Sequence, residues 1–163
     1  RNVSAAETGS RSNAGQPHLP HRPPSQVVLH DGAVRAIGLS NFKPHHIEAL
    51  LKHAEIEPMV DQIEFYPGRI QTETLEYCLE RDLVVEAWSP LGRGKTLTNE
   101  AIGARYGKSN AQVCLRWLIQ LGMLPLPKSG NIERMKQNLE VFDFELTLEE
   151  MAVISAQECI HYC

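Results

Sequence analysis

Apolar residues along this chain come in short, nearly continuous runs, and amphipathic stretches separate them. The run Val34-Arg35-Ala36-Ile37-Gly38-Leu39 ends in Ser40-Asn41 and predicts a strand. Met59 to Phe65 predicts a second strand and Leu83 to Trp88 a third. Met123 to Pro127 predicts a short fourth, in which Pro125 and Pro127 remove ladder donors. Between these runs the period lengthens to that of helices. Pro44 to Lys52 opens with a proline in its first turn, where a missing N–H costs nothing. Thr72 to Arg81 sets Leu75, Cys78 and Leu79 on one face, with Thr72 placed to cap it. Leu97 to Tyr106 reads as a helix that stops at Gly107. Ser109-x-x-Gln112 is a capping box opening a helix that runs to Leu121 and stops at Gly122. Asn131 caps another helix, and the box Thr147-x-x-Glu150 opens the last.

Strands and helices alternate, and no Asn-Gly hairpin signal stands between strands. That is the pattern of an α/β fold, a parallel sheet with helical crossovers. Nearly continuous apolar strands suit a parallel sheet, whose two faces are both covered. In such folds ligands sit at the carboxyl ends of the strands. The residues to watch are therefore Ser40 and Asn41, Gln62 and Glu64, Trp88 and Ser89, and Lys128 and Ser129.

Composition changes the picture at the start of the chain. Residues 1–41 hold no Phe, Tyr or Trp, and 1–26 are rich in Ser, Asn, Gly and Pro. Such a stretch buries too little apolar surface to offset its ordering entropy. We expect residues 1–30 to be a disordered or foreign leader and 31–163 to be the folded unit. The leader has neither the apolar core of a signal peptide nor the Arg-rich pattern of a transit peptide, which points to the cytoplasm. The sequon Asn2-Val3-Ser4 is accordingly read as coincidence. The chain of 163 residues has the length of one domain. Its net charge of −4 gives no electrostatic case for nucleic acid or an anionic membrane surface. No apolar run approaches the roughly 18 residues of a membrane span. Four cysteines without a CxxC pair argue against a disulfide scaffold or zinc ribbon and fit a reducing compartment.

The strand ends lie within longer motifs. Ile37-Gly38-Leu39-Ser40-Asn41-Phe42, Asp61-Gln62-Ile63-Glu64 and Ala87-Trp88-Ser89-Pro90-Leu91-Gly92 stand in order. Ala111-Gln112-Val113-Cys114-Leu115-Arg116-Trp117, Pro127-Lys128-Ser129 and Asn138 to Leu146 follow. Over about residues 31–155 the chain resembles the C-terminal half of the aldo-keto reductases. The resemblance implies a parallel (β/α)8 barrel of the TIM type, with only the last four βα units present here. It implies hydride transfer between NADP(H) and a small-molecule carbonyl substrate, reducing aldehydes or ketones to alcohols. Ser40, Asn41 and Gln62 match the residues that hold the nicotinamide carboxamide. Hydroxyl and amide side chains satisfy both the donors and the acceptor of such a group. Trp88 matches the aromatic that stacks on the nicotinamide. Core packing is the competing reading for Trp88, and its place at a strand end before Ser89-Pro90-Leu91-Gly92 favours the ligand role. Ser89, Leu91 and Gly94 match the segment that covers the pyrophosphate. Lys128, Ser129, Arg134 and Asn138 match the site of the adenine and its 2′-phosphate. Two cations near one dianion, at a helix start, favour NADP(H) over NAD(H).

Two other patterns carry little. Gly92-Arg93-Gly94-Lys95-Thr96 ends like a phosphate loop but has Ser89 where the first glycine belongs. His45, His46 and His53 with Glu48 lack a metal-binding spacing, and adjacent His45 and His46 should face apart. Cys159, His161 and Cys163 at the chain end carry no ligand pattern of their own. The family's proton-donating tyrosine and its lysine, aspartate and histidine partners match no residue here. We therefore expect the chain alone to be inactive; the alternative function is that of a non-catalytic nucleotide-binding fragment or pseudo-enzyme. Tyr66, Tyr106 and Asp61 depart from the family's residues or fall outside its motifs. Four βα units leave two sheet edges open, so self-association through those edges is a further expectation.

Overall fold

The computed structural model describes Leu29, residues 31–94 and residues 99–157. The predicted leader over 1–30, apart from Leu29, and the sequon, Lys95 to Thr98, Cys159, His161 and Cys163 lie outside the described residues. In chain order the elements are β1 (Gly38–Ser40), α1 (Pro44–Leu51), β2 (Val60–Glu64), α2 (Thr72–Glu80) and β3 (Val84–Trp88). A 3-10 turn (Gly92–Gly94), α3 (Glu100–Tyr106), α4 (Asn110–Gln120), β4 (Leu124–Leu126), α5 (Ile132–Leu139) and α6 (Leu148–Ser155) follow. The four strands form one sheet in the order β1-β2-β3-β4, and every pair is parallel. This is the predicted α/β fold, four successive βα units.

Element ends moved for identifiable reasons. β1 begins at Gly38, four residues later than the apolar run. The Met59 N–H still reaches the Ile37 carbonyl at 2.9 Å, but the residue before it is Pro58, which has no N–H to extend the ladder. At α2, Thr72 is the first helical residue, and Gln71 occupies the capping position without a side-chain cap. The Gln71 amide is instead donated to the Glu64 carbonyl, 2.7 Å away, which ties the loop to the end of β2. The capping residues Ser109, Asn131 and Thr147 do accept the N–H groups predicted for them.

Strand alternation separates two faces. Asp61, Ile63, Val85 and Ala87 are fully buried on the side packed by helices. Ile47 of α1, Leu75 and Cys78 of α2, Trp117 and Leu118 of α4 and Ile154 of α6 join them in one core. The other face carries three rows set by register. They are Gly38, Val60 and Val84; then Ser40, Gln62, Glu86 and Leu124; then Glu64, Trp88 and Leu126. Gly38 lets β1 approach closely, since a Cβ there would stand 3.0 Å from the Val60 carbonyl oxygen.

Candidate functional site

At the carboxyl ends of the strands the chain turns sharply. Asn41 and Ser89 follow β1 and β3 in the left-handed region, with φ of 57° and 51°. Asn41 donates its N–H to the Gln62 carbonyl at 2.9 Å, so the β1–β2 ladder outlasts β1 by one residue. Its side-chain amide donates to the Ser40 hydroxyl at 3.2 Å, and its carbonyl accepts the Trp88 indole N–H at 2.9 Å. Beside them Gln62 donates to the Glu86 carboxylate at 2.8 Å. Ser40, Asn41, Gln62 and Trp88 are thus gathered on the open face of the sheet.

Glu86 belongs to that group and was missed in the sequence. It stands two residues before Trp88 inside an apolar strand, so alternation alone places it on the Trp88 side. Asp61, the residue before Gln62 on β2, points the other way. It is fully buried on the helix side, where its one hydrogen bond is from the Phe42 N–H at 3.4 Å. Burial pushes its carboxyl up to about 6, against the lowering effect of that N–H.

A second group surrounds a cavity of about 880 Å³ next to β4. Leu91, Gly94, Lys128, Ser129, Arg134 and Asn138 all line it. Ser89 does not line it; its carbonyl accepts the Gly92 N–H at 2.8 Å and so starts the turn that carries Leu91 and Gly94. Ser129 accepts the Asn131 N–H at 3.1 Å, and Asn131 in turn caps α5 by accepting the Arg134 N–H at 3.0 Å. The capping segment of α4, Ser109 to Ala111, reaches the same cavity. Two helix N-termini therefore face one space, and each favours an anion. Among the described residues, the side chains of Lys128 and Arg134 have no acidic partner. The α4 contribution was also missed, although the Ser109 box marks a helix start. The two groups adjoin through the pairing of Trp88 with Leu126, two residues before Lys128.

The remaining patterns resolve differently. Gly92–Gly94 is a 3-10 turn with Arg93 at φ 57°, not the start of a helix. His45 and His46 do not face apart: their ring centroids are 3.9 Å apart, because His46 turns back to accept the Lys43 N–H at 3.2 Å. Among the described residues no three His, Cys, Asp or Glu side chains are grouped to hold a metal. Cys78 and Cys114 are free and buried, and burial pushes their thiols up to about 11 and 12. No described helix is long and apolar enough to cross a membrane.

Fold and site together define a parallel α/β protein whose candidate site residues gather at the carboxyl ends of the strands. The aldo/keto reductase family model matches residues 28–100 and 97–158, and the chain belongs to that family. It is 50% identical over 134 residues to glyoxal reductase of Bacillus subtilis, across 80% of this chain and 49% of that protein. It is 46% identical over 135 residues to 9,11-endoperoxide prostaglandin H2 reductase of Trypanosoma cruzi, across 79% of this chain and 48% of that protein. Among solved structures, a Bombyx mori aldo-keto reductase in complex with NADP superposes with a TM-score of 0.73 at 37% identity. That match covers 80% of this chain and 47% of the other. The chain spans about half the length of the curated relatives it matches.

Proposed function

We propose that this chain is the cofactor-binding half of an NADP-dependent aldo-keto reductase, which reduces aldehydes or ketones to alcohols. The observation that carries the reading is the cavity beside β4. Lys128 and Arg134 stand there without acidic partners among the described residues, at the meeting of two helix N-termini. Such a space suits a phosphate dianion, which Arg binds through two parallel N–H bonds. The adjoining group suits an amide-bearing aromatic ring. Ser40 and Gln62 offer donors and acceptors at one level, and the Trp88 ring stands at the next row of the sheet. NADP(H) would thus lie with its nicotinamide at Ser40, Asn41, Gln62 and Trp88. Its pyrophosphate would pass under Ser89, Leu91 and Gly94, and its adenosine 2′-phosphate would meet Lys128, Ser129, Arg134 and Asn138. When bound, the cofactor supplies or accepts the hydride. The residues here bind it, select it and fix which face of its ring is presented. The free buried cysteines suit a reducing, cytoplasmic setting.

Proton donation is a separate matter. Tyr106 is committed to Glu150 at 2.7 Å, and Tyr77 is half-buried on α2. General acid catalysis is worth about 10²–10⁴-fold, so we propose that the chain alone is a poor catalyst. The test of the cofactor reading is Arg134→Ala, followed by fluorescence titration with NADPH and NADH. A charge-assisted pair contributes about 1.5–3 kcal/mol. We expect a loss of roughly ten- to a hundred-fold for NADPH and little change for NADH. Equal losses for both cofactors would remove the phosphate from this cavity.

A further inference from the structure

We propose that Asp61 is a positioning residue, which holds the β1 exit turn from the covered side of the sheet so that Asn41 is presented on the open side. The inference rests on the reading of Ser40, Asn41, Gln62 and Trp88 as the nicotinamide group.

Asp61 pairs in register with Leu39 and Val85, so it sits in mid-sheet among apolar neighbours. It is fully buried, and its Oδ2 has no hydrogen-bond partner. A carboxylate in that position costs stability, and packing does not require it. What it does is local. The β1–β2 ladder ends when the Asn41 N–H meets the Gln62 carbonyl, and α1 begins when the His46 and Ile47 N–H groups meet the Lys43 carbonyl. The Phe42 N–H lies between these two systems, and its acceptor is Asp61 Oδ1. Asn41 is therefore held on both sides while it occupies the left-handed region, which most side chains avoid and Asn tolerates. Held so, its amide reaches Ser40 and Trp88 together. Asp61 touches neither cofactor nor substrate and acts through the backbone of Phe42.

The charges around Asp61 are few. From α2 the facing group is Cys78, whose thiol is pushed up to about 11 by burial and then by Asp61 itself, and so stays neutral. β1 and β3 present Leu39 and Val85, while Glu86 projects from the opposite face of the sheet. On α1, His45, His46 and Glu48 are exposed. With no cation near, burial raises the carboxyl to about 6. Above that pH the Phe42 bond is charge-assisted, and below it the acceptor is neutral and weaker. The unfolded carboxyl titrates near 4, so the native state binds the extra proton between about pH 4 and 6. Acidification across that window stabilises the fold while it slackens the turn.

The experiment needs no bound cofactor. The chain has two tryptophans, and their indole N–H signals in a ¹H–¹⁵N spectrum are assigned with Trp88→Phe. The Trp88 signal should move with a midpoint near pH 6 in the wild type and stay flat from pH 5 to 8 in Asp61→Asn, which keeps an acceptor for Phe42. Asp61→Ala should displace it at every pH. The Trp117 signal, bonded to Ser155 at 3.1 Å on the far side of the core, should not follow. A transition that persists in Asp61→Asn, or a Trp88 signal indifferent to Asp61→Ala, overturns the proposal. Titration with NADPH and with 2′,5′-ADP then separates it from the cofactor reading. Asp61→Ala should weaken NADPH about five-fold, the worth of one hydrogen bond, and leave 2′,5′-ADP unchanged. Equal effects on both ligands overturn the positioning role. Failure of the wild type to bind either ligand overturns the cofactor reading, and the indole signals still decide whether Asp61 shapes the turn.

Discussion

Glu150 shows how one side chain joins distant parts of the chain. Its carboxylate accepts the Thr147 N–H at 2.9 Å and so closes the first turn of α6. It also accepts the Tyr106 hydroxyl at 2.7 Å and an Arg105 N–H at 2.9 Å, both from the end of α3. Burial works against its ionised form, but Tyr106, the Thr147 N–H and Arg105 together outweigh burial and hold its pKa below the ordinary carboxylate value. A depressed pKa gives stability that is present above the unfolded value near 4.3 and is lost as pH falls through the folded one. Tyr106→Phe should therefore lower the thermal midpoint by several degrees at pH 7 and by much less in acid strong enough to protonate Glu150 in the folded protein. Scanning calorimetry at both pH values reads the difference. An equal loss at both would mean that the hydroxyl contributes independently of the charge on Glu150, since the substitution keeps the ring, whose centroid lies 5.1 Å from that of Phe144.

At the scale of elements, α3 and α4 meet in a tight corner. Gly107 closes α3 at φ 64°, and the Lys108 N–H returns to the Gly103 carbonyl at 2.9 Å. A Cβ on Gly103 would stand 2.4 Å from the Lys108 carbonyl oxygen. Lys108 cannot yield freely, because its ammonium is tied to Asp143 at 2.7 Å and to the Glu140 carbonyl at 3.0 Å. Gly103→Ala gains up to about 1 kcal/mol of helix propensity, but overpacking costs about 1–3 kcal/mol. We expect a net loss of about 1–2 kcal/mol, read from the urea midpoint at constant slope. A gain would mean that the corner has slack. The same elements show what the sequence makes legible. Ser109, Asn131 and Thr147 announce helix starts through local hydrogen bonds, which need no knowledge of the rest of the chain. The apolar run overstates β1, because the strand's length depends on Pro58, a residue outside the run. Glu86 and Asp61 were legible as polar residues in strands but not as neighbours of Gln62 and Phe42. Those contacts are set by register between strands, which one strand's pattern does not contain.

At the scale of the whole molecule, the described residues leave β1 and β4 with one pairing edge each. Beside the β4 edge lies an apolar groove of about 500 Å³ between α4 and α5, lined by Ile119, Leu124, Met135, Leu139 and Phe142 among others. Leu124, Leu139 and Phe142 are 53%, 73% and 71% exposed, a cluster too apolar to be an ordinary solvent face. We propose that, for this 163-residue chain taken by itself, a second copy covers it. A twofold axis along the strands sets β1 of one copy beside β4 of the other, in parallel, and does so at both edges at once. Such a dimer would have eight strands in one sheet. Such closure satisfies backbone groups at both edges, which an apolar ligand in the groove would leave open. It also covers the rows from Gly38 to Trp88 and encloses two cofactor groups at one rim. Light scattering behind size exclusion should show a dimer whose fraction rises with concentration. Leu139→Glu, on an exposed helix position, should abolish it without changing the circular dichroism. A monomer at every concentration up to about 100 µM, well above the dissociation constant of a standard-sized interface, would mean that the partner for these edges is a different segment. A ladder of higher oligomers would mean that the edges pair without closing.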